Sequence, residues 1–541
     1  MLRVLCYSKN MKKYVIKIDR TDKKSILQYC RENGIDLCPA PCGGKGICGK
    51  CKVHVTKPYD KVVLACKTEA VNGMEIAPVR DESENMVVLQ GDKVSDDTVD
   101  EKDRHDDLDR RIVSPKDGIR DRSSDVICAA CDIGTTTVVC SIIDPVTKDV
   151  LASRAGANPQ RSFGADVVSR IEAACADDDN LKTMNNAIVN LISGWITDMI
   201  QKLGVEKIKL LTVAANTTMC HLFAGISPEK IGKAPFMPDE LFGKEYKGAG
   251  IGILNCEKVY IIPAVSGYVG GDITAGMAEC IDADEMTLYL DIGTNGEMAL
   301  GRGGKYLCAA TAAGPAFEGA QIEMGMPGQK GAIDKVWLEG RKICYSVIGI
   351  VRPLGICGSG IIDAVAVFLD TGIIDENGTI KDMADIPLWY RPYVEVFDDE
   401  DDDEDIYPAE TAEKVVHISP EVILNQDDIR RIQLAKSAIA AGIDVLIKEY
   451  GITYNEIDRV CLAGGFGNYL DQKSAARIGL IPEKLLKKTV SVGNAAQKGA
   501  IATAYIYEDH GSKTETKILN KDIINKTNAI ISTMAYIDLS A

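Results

Sequence analysis

Apolar and polar residues alternate over Tyr14-Val-Ile-Lys-Ile18, which predicts a strand. Ser25 to Asn33 reads as a short helix ended by Gly34. Lys52-Val-His-Val55 and Met74-Glu-Ile-Ala77 predict two more strands, so residues 12–80 form one small module. Residues 81–125 then lose all periodicity and become charged and poor in apolar side chains, which predicts a flexible linker. From Val126 onward, strand and helix patterns alternate to the end, as in a mixed α/β fold. Leu181, Met184, Ile188, Leu191, Trp195, Met199 and Leu203 recur at helical spacing, a stripe that predicts core packing. A second aperiodic run, Asp398 to Asp405, consists of eight carboxylates and predicts a solvated loop.

Length changes this picture only by demanding several cores, since 541 residues exceed what one core serves. We divide the chain into 12–80, a linker at 81–125, and a larger domain at 126–541 with lobes at about 126–285 and 286–541. No apolar run approaches the roughly 18 residues of a membrane span. The first residues lack the apolar core of a signal peptide, and either Met1 or Met11 serves as a start. The 18 cysteines show no disulfide framework, which suits a reducing cytoplasm, as in an anaerobe. A net charge of −17 argues against nucleic acid and leaves solubility or docking on a basic partner.

One group of cysteines is different. Cys42, Cys48 and Cys51 lie in a glycine-rich run, and Cys66 follows fifteen positions later. Four cysteines at C-x5-C-x2-C…C spacing suit a loop wrapped round a [2Fe–2S] cluster. Glycine lets the backbone curl and aim N–H groups at the sulfides. Zinc and bare thiols are the alternatives, although zinc calls for a second C-x-x-C pair or histidines, and only His54 is near. Cys38 is a possible substitute ligand.

A repeat defines the larger domain. Asp132-Ile-Gly-Thr-Thr-Thr137 and Asp291-Ile-Gly-Thr-Asn-Gly296 each sit between two apolar runs, so each predicts the tip of a hairpin in one of two related halves. At such tips Gly134 and Gly293 allow the tight turn. Thr135, Thr136, Thr137, Thr294 and Asn295 direct polar groups at a phosphate. Asp132 and Asp291 end their strands, where a carboxylate suits hydrated Mg²⁺. Two such hairpins would clamp a triphosphate from both sides. Leu462-Ala-Gly-Gly-Phe-Gly467 predicts a close backbone approach to nucleotide at Gly464 and Gly465. Small-residue helices are expected at Gly270 to Glu279 and Gly493 to Ala500, crossing closely and acting as a hinge. Asp272 in the first of these either positions an attacking water or caps the helix.

This order of hairpin, helix, hairpin, glycine-rich loop and helix resembles the superfamily of sugar and acetate kinases, heat-shock chaperone ATPases and actin. Asn158 to Arg170, Asn216-Thr-Thr-Met219, Ala313 to Gly319 and Gly355-Ile-Cys-Gly-Ser-Gly360 narrow the resemblance to the RACE family of reductive activators of corrinoid-dependent enzymes. That resemblance implies a β-grasp [2Fe–2S] ferredoxin domain fused to a duplicated, ribonuclease H-like ATPase domain of the ASKHA type. It implies ATP, Mg²⁺ and the cluster as cofactors, a Co(II) corrinoid protein as partner, an external low-potential electron donor, and a homodimer. The implied activity is one-electron reduction of Co(II) to Co(I) driven by ATP. Plant-type centres lie near about −400 mV. An acceptor on the order of 100 mV lower makes transfer uphill by roughly 2.3 kcal/mol, within reach of differential nucleotide binding. The chain lacks the extra small domain that longer members carry after the ferredoxin.

Three rival readings are an activator of a non-corrinoid enzyme, a small-molecule kinase, and a nucleotide-gated redox sensor. Cys128 and Cys131 form C-x-x-C, but at that spacing on a strand they face opposite sides and are expected to be buried packing residues. Cys357 is likewise expected to pack.

Overall fold

The computed structural model describes residues 13–18, 23–35, 37–38, 40, 43–46, 50–79, 126–282, 284–349, 351–397, 413–464 and 470–504, with the backbone of 534–537. The charged segment 81–125 and the acidic run 398–405 lie outside these residues, as do Cys42, Cys48 and Gly465. The chain divides into two compact units. Met1–Met86, Arg110–Gly270 and Ala504–Leu519 make the first; Val87–Asp109, Gly271–Thr503 and Asn520–Ala541 make the second.

The first unit begins with β1 (Tyr14–Val15), α1 (Ile26–Glu32), β2 (Lys52–Lys57), β3 (Lys61–Leu64) and β4 (Glu75–Pro78). They form a four-stranded sheet in the order β1-β4-β2-β3 with α1 against it, the ferredoxin arrangement. β1 stops two residues after it starts. Beyond it the fully buried Ile16 donates to the Met74 carbonyl and accepts from the Gly73 N–H, so two residues of the partner oppose one. The sequence places α1 well, because its ends are encoded. Ser25 and Gln28 exchange side-chain and backbone hydrogen bonds in a capping box, and Gly34 takes φ +62° just past the end. Ile16, Ile26, Val53, Val55 and Ile76 close the core.

The same unit continues with β5 (Cys128–Ile133), β6 (Thr137–Ile143), β7 (Val150–Ala157), α2 (Val167–Ala176), α3 (Asp178–Lys202), β8 (Ile208–Ala215), α4 (Thr217–Ala224), β9 (Lys244–Lys247), a one-turn α5 (Gly248–Ile251) and β10 (Cys256–Ile261). The sheet order is β7-β6-β5-β8-β10-β9. β5, β6 and β7 are antiparallel neighbours, while β8 and β10 run parallel to β5. α3 carries the apolar stripe. Met184, Ile188 and Met199 are buried in the core, and Leu181, Leu191, Trp195 and Leu203 pack at its margin. Cys131 joins that core with Cys140, whereas Cys128 is buried outside it. Burial drives both thiols upward, Cys128 to about 12, so neither is a reactive thiolate.

The second unit comprises α6 (Gly271–Cys280), β11 (Thr287–Ile292), β12 (Gly296–Arg302), β13 (Lys305–Thr311), β14 (Ala332–Glu339), β15 (Lys342–Val347), β16 (Gly355–Ile356), α7 (Gly358–Thr371), β17 (Val394–Phe397), β18 (Glu413–Ser419), β19 (Val422–Asn425), α8 (Gln426–Tyr450), β20 (Arg459–Ala463), α9 (Gln472–Arg477), β21 (Thr489–Gly493), α10 (Ala495–Thr503) and β22 (Met534–Ile537). Its main sheet runs β21-β20-β11-β12-β13-β22. β11, β12 and β13 are antiparallel neighbours, and β20 and β21 run parallel to β11. Read outward from the first strand, this is the order and the mixture of directions of β5, β6, β7, β8 and β10. The fold is therefore a ferredoxin module plus a duplicated ASKHA-type domain. α6 and α10 belong to this one unit and pack closely, a Cβ on Gly276 lying 3.2 Å from the Ala495 side chain. A Cβ on Gly499 would stand 2.2 Å from the Ala275 carbonyl, and one on Gly276 2.0 Å from the Tyr289 hydroxyl. No described helix is long and apolar enough to cross a membrane.

Candidate nucleotide and cluster sites

Among the described residues of the cysteine loop, Gly44 lies beside Leu27 and Arg31 of α1 and Gly46 beside Lys67, just past β3. Gly43, Gly44 and Gly46 all adopt positive φ, a curl that other residues resist. Cys51 just precedes β2 and Cys66 follows β3, and β2–β3 pairing brings their sulfurs to 3.2 Å. Two thiolates on one tetrahedral metal, at metal–sulfur bonds of about 2.3 Å, stand roughly 3.7 Å apart. The observed sulfurs stand about half an ångström closer than that, at the distance of a thiol–thiol hydrogen bond. His54 turns its Nε2 to Asp60 at 2.5 Å. Cys38 is buried in the module core.

In the first unit the tip between β5 and β6 is held from beneath. Gly134 donates to the Thr137 carbonyl at 2.9 Å, and a Cβ there would lie 2.7 Å from that oxygen, so only glycine fits. Fully buried Asn158 takes the tip from one side. Its backbone N–H donates to the Thr136 carbonyl at 2.8 Å and its side-chain amide to the Gly134 carbonyl at 2.9 Å. Asn216, the N-cap of α4, donates to the Thr135 hydroxyl at 3.1 Å. Arg170, also fully buried, donates to the Thr135 carbonyl at 2.6 Å and to the Gly164 carbonyl at 3.0 Å. All three carbonyls of Gly134 to Thr136 are thus engaged, which holds the turn in one conformation. Asp132 is half-buried at the end of β5.

The second tip, between β11 and β12, is built from acids. Gly293 donates to the Asn295 carbonyl at 2.9 Å. The Thr294 hydroxyl donates to Glu318 at 2.8 Å, and the Asn295 amide donates to Glu297 at 3.2 Å. Glu297 is buried on β12. Burial, then the charges of Asp272 and Asp291, push its carboxyl well above the usual range. Burial pushes the Asp272 carboxyl, in the first turn of α6, up to about 6. Its oxygen accepts from the Ile273 N–H at 2.9 Å. Gly464, at the end of β20, takes φ +98°, and a Cβ would stand 2.9 Å from the Asp291 carboxylate. The backbone at Gly464 therefore runs directly beside Asp291. Carboxylates that raise one another's pKa are an arrangement that a cation relieves. Among the described residues no three acids, imidazoles or thiols close into a full metal cage. Mg²⁺ does not require one, because it keeps water and takes one or two carboxylates with phosphate oxygens.

Five residues of these sites escape sequence reasoning: Glu297 and Glu318 as acids, and Asn158, Arg170 and Asn216 as braces. Each had a signal. Glu297 is a carboxylate in the middle of an apolar strand, one position beyond the D-I-G-T-N-G motif. The other four lie within motifs that carry the family resemblance.

Similarity to known proteins follows the same division. Residues 13–71 match the 2Fe-2S iron–sulfur cluster binding domain, 127–282 the RACo middle region, and 285–541 the C-terminal ASKHA domain of RACo. The corrinoid activation enzyme RamQ of Eubacterium limosum is 33% identical over 545 residues, with 90% of each chain covered. The [Co(II) methylated amine-specific corrinoid protein] reductase of Methanosarcina barkeri is 25% identical over 409 residues, covering 68% of each. The solved structure of a reductive activator for corrinoid, iron–sulfur protein aligns with a TM-score of 0.65 at 29% identity, covering 98% of this chain and 96% of that one. An iron–sulfur cluster and a nucleotide are the ligands these domains take. With one relative 33% identical over nine-tenths of both chains, and matches running through all three regions, the chain belongs to the RACo family of reductive activators.

Proposed function

We propose that this protein is an ATP-dependent reductive activator that returns an inactive Co(II) corrinoid protein of a methyltransferase system to Co(I). The observation that carries the reading is the union, on one chain, of a thiol pair 3.2 Å apart in a ferredoxin module with a duplicated sheet bearing two D-I-G-T tips. A kinase needs no ferredoxin, and an electron carrier alone needs no duplicated phosphate sheet.

Cys42, Cys48, Cys51 and Cys66 hold a [2Fe–2S] cluster, which supplies one electron at a time at low potential. Gly134 to Thr137 receive phosphate oxygens on a turn whose carbonyls Asn158 and Arg170 hold in place. Gly293, Thr294 and Asn295 do the same in the second unit, where Gly464 and Gly465 present bare backbone to the nucleotide. Asp132 and Asp291 are the Mg²⁺-side carboxylates of their tips. Asp272 is set to order water and accept its proton, because burial raises its carboxyl to about 6, and Glu297, raised by burial and by the charges of Asp272 and Asp291, stands beside it. The electron donor is an external low-potential carrier. The protein works in the cytoplasm as a homodimer.

The test is anaerobic. Reduced protein is mixed with a Co(II) corrinoid protein from the same genome, and the Co(I) absorbance is followed with and without MgATP. ATP-dependent Co(I) formation is expected. Its absence with the cluster intact and reduced rejects this acceptor.

A further inference from the structure

The ferredoxin module meets the remainder of the first unit at its own cysteine loop. Arg31, in the last turn of α1, donates from Nε to the Ser162 carbonyl at 2.8 Å, and a terminal guanidinium nitrogen bonds the same oxygen. That terminal nitrogen also reaches the Gly43 carbonyl at 3.1 Å. The guanidinium lies over the Phe163 ring, 4.7 Å from its centre, within cation–π range. Lys45 pairs with Glu172 of α2 at 2.9 Å. Gly43 approaches so closely that a Cβ would stand 3.3 Å from the Phe163 carbonyl.

The place where Arg31 lands is not arbitrary. Ser162 and Phe163 lie in the middle of the short segment 158–164, and both ends of that segment are tied to the phosphate-type turn. At one end, Asn158 bonds Gly134 and Thr136. At the other, the Gly164 carbonyl accepts from Arg170, which also holds Thr135. A movement of Gly134 to Thr136 therefore reaches both ends of segment 158–164 through hydrogen bonds, passes along its backbone to the oxygen that Arg31 grips, and goes from Arg31 to Gly43 in the cysteine loop. The two outer contacts differ in weight. Lys45 and Glu172 are both well exposed, so their attraction is screened. Arg31 is planar, part-buried and multiply bonded, which makes it the latch.

We propose that segment 158–164 is a built seat for the ferredoxin module, latched by Arg31, which ties the position of the cysteine loop to the occupancy of the turn at Gly134–Thr136. A seated loop is held on the lobe. A shifted turn withdraws the Ser162 carbonyl and frees the module to present its cluster elsewhere. Only the occupancy half rests on the nucleotide reading above.

Hydrogen exchange followed by mass spectrometry on the full-length holoprotein tests both halves. Arg31→Ala is expected to raise exchange on the order of tenfold in 43–46 and in 159–164, on both sides of the contact, while β2 exchanges as in the wild type. Lys45→Glu is expected to loosen the same two segments about twofold, and adding Glu172→Lys to restore them. MgATP is expected to change exchange at 159–164 and 43–46 in the wild type and at 159–164 alone in Arg31→Ala. Because latch and occupancy are linked, Arg31→Ala is expected to bind MgATP more tightly than the wild type in a separate titration, by the factor with which the latch opposes occupancy. Wild-type exchange at 159–164 in Arg31→Ala overturns the seat. Bound MgATP that leaves 43–46 unchanged in the wild type overturns the coupling. Failure of the nucleotide reading shows itself differently, as no binding in the titration, and the nucleotide-free comparison still decides the seat.

Discussion

In the first unit, the hairpin tip at Gly134–Thr136 is gripped by one fully buried amide, one half-buried amide and a buried guanidinium. In the second, the tip at Gly293–Asn295 is surrounded by Glu297, Glu318, Asp291 and Asp272. The strands beneath are arranged alike, five in the same order with the same directions. The sheet thus fixes where a turn stands, and the side chains under it fix what the turn does. Neutral and cationic braces hold a shape without adding negative charge, which suits a turn that must receive phosphate. Acids in a sheltered site suit a turn that must hold a cation and move a proton. Duplication supplied the frame twice, and the residues beneath each tip made the halves unequal.

The strongest way to break this comparison is to remove the brace. Arg170 is fully buried with its guanidinium spent on backbone carbonyls. Arg170→Met leaves those carbonyls buried and without their charged donor, which costs about 3–5 kcal/mol. Denaturant unfolding of the variant should show the first unit losing stability and the second holding its own. Equal loss in both would mean that Arg170 supports more than its own tip.

The next effect is chemical. Glu297→Gln keeps the acceptor for Asn295 and removes the charge, so nucleotide should still bind while hydrolysis falls on the order of a hundredfold to ten-thousandfold. The pH profile sharpens the assignment. The Asp272 carboxyl is pushed up to about 6 by burial, so it is protonated below that pH and ionised above it. Hydrolysis should therefore rise through about pH 6 and level off, and Asp272→Asn should abolish that inflection. An unchanged inflection would place the base elsewhere. In the first unit, Asn216→Ala removes one amide from the Thr135 hydroxyl. Weaker nucleotide binding by about three- to tenfold, with the maximal rate unchanged, is the expected outcome.

These contrasts also show what could be read without coordinates. Strand and helix order, the duplication, and the cysteine pair at Cys51 and Cys66 were legible, because period, turn glycine and spacing are local properties of sequence. α1 was placed to within a residue since Ser25, Gln28 and Gly34 write its ends. β1 came out shorter because regular pairing ends where Ile16 bonds both Gly73 and Met74, an irregularity of the partner segment that alternation within β1 does not record. β3 opens a continuous apolar run, Val62 to Cys66, with no alternation to mark it as a strand. Asn158, Arg170 and Asn216 were visible as motif residues, yet their work lies in contacts 24 to 81 positions away along the chain. Spacing says nothing about such partners. Likewise, the raised pKa of Glu297 depends on charges from α6 and β11, which only the folded sheet brings to it.

The smallest effect extends the comparison from the tips to the cores. The buried carboxylates pushed upward, Asp272, Glu297, Asp363 and Asp428, all lie in the second unit, whereas in the first unit Glu75, Glu229 and Glu240 are drawn downward by lysines. Asp363, on α7, is far from the tips in sequence and isolates the effect. Burial pushes it up to about 6 from an ordinary 3.8, against a hydrogen bond from the Val336 N–H at 3.4 Å. Because the folded value exceeds the unfolded one, the fold prefers the protonated acid. Its stabilising share is fully present below about pH 4 and is lost as pH rises through about 6. At pH 8 the ionised group weighs against the fold by up to about 3 kcal/mol, from roughly two pKa units. Asp363→Asn keeps an acceptor for Val336 and carries no charge. It should raise the melting temperature of the second unit at pH 8, by about 2–4 °C for each kcal/mol recovered. The gain should shrink toward zero by pH 4. In the first unit the sign is opposite. Glu240 accepts from the Phe242 N–H at 3.0 Å and pairs with Lys244, so its share is present at neutral pH and lost on acidification. A gain for Asp363→Asn that is as large at pH 4 as at pH 8 would show that packing, not charge, sets the energy of Asp363.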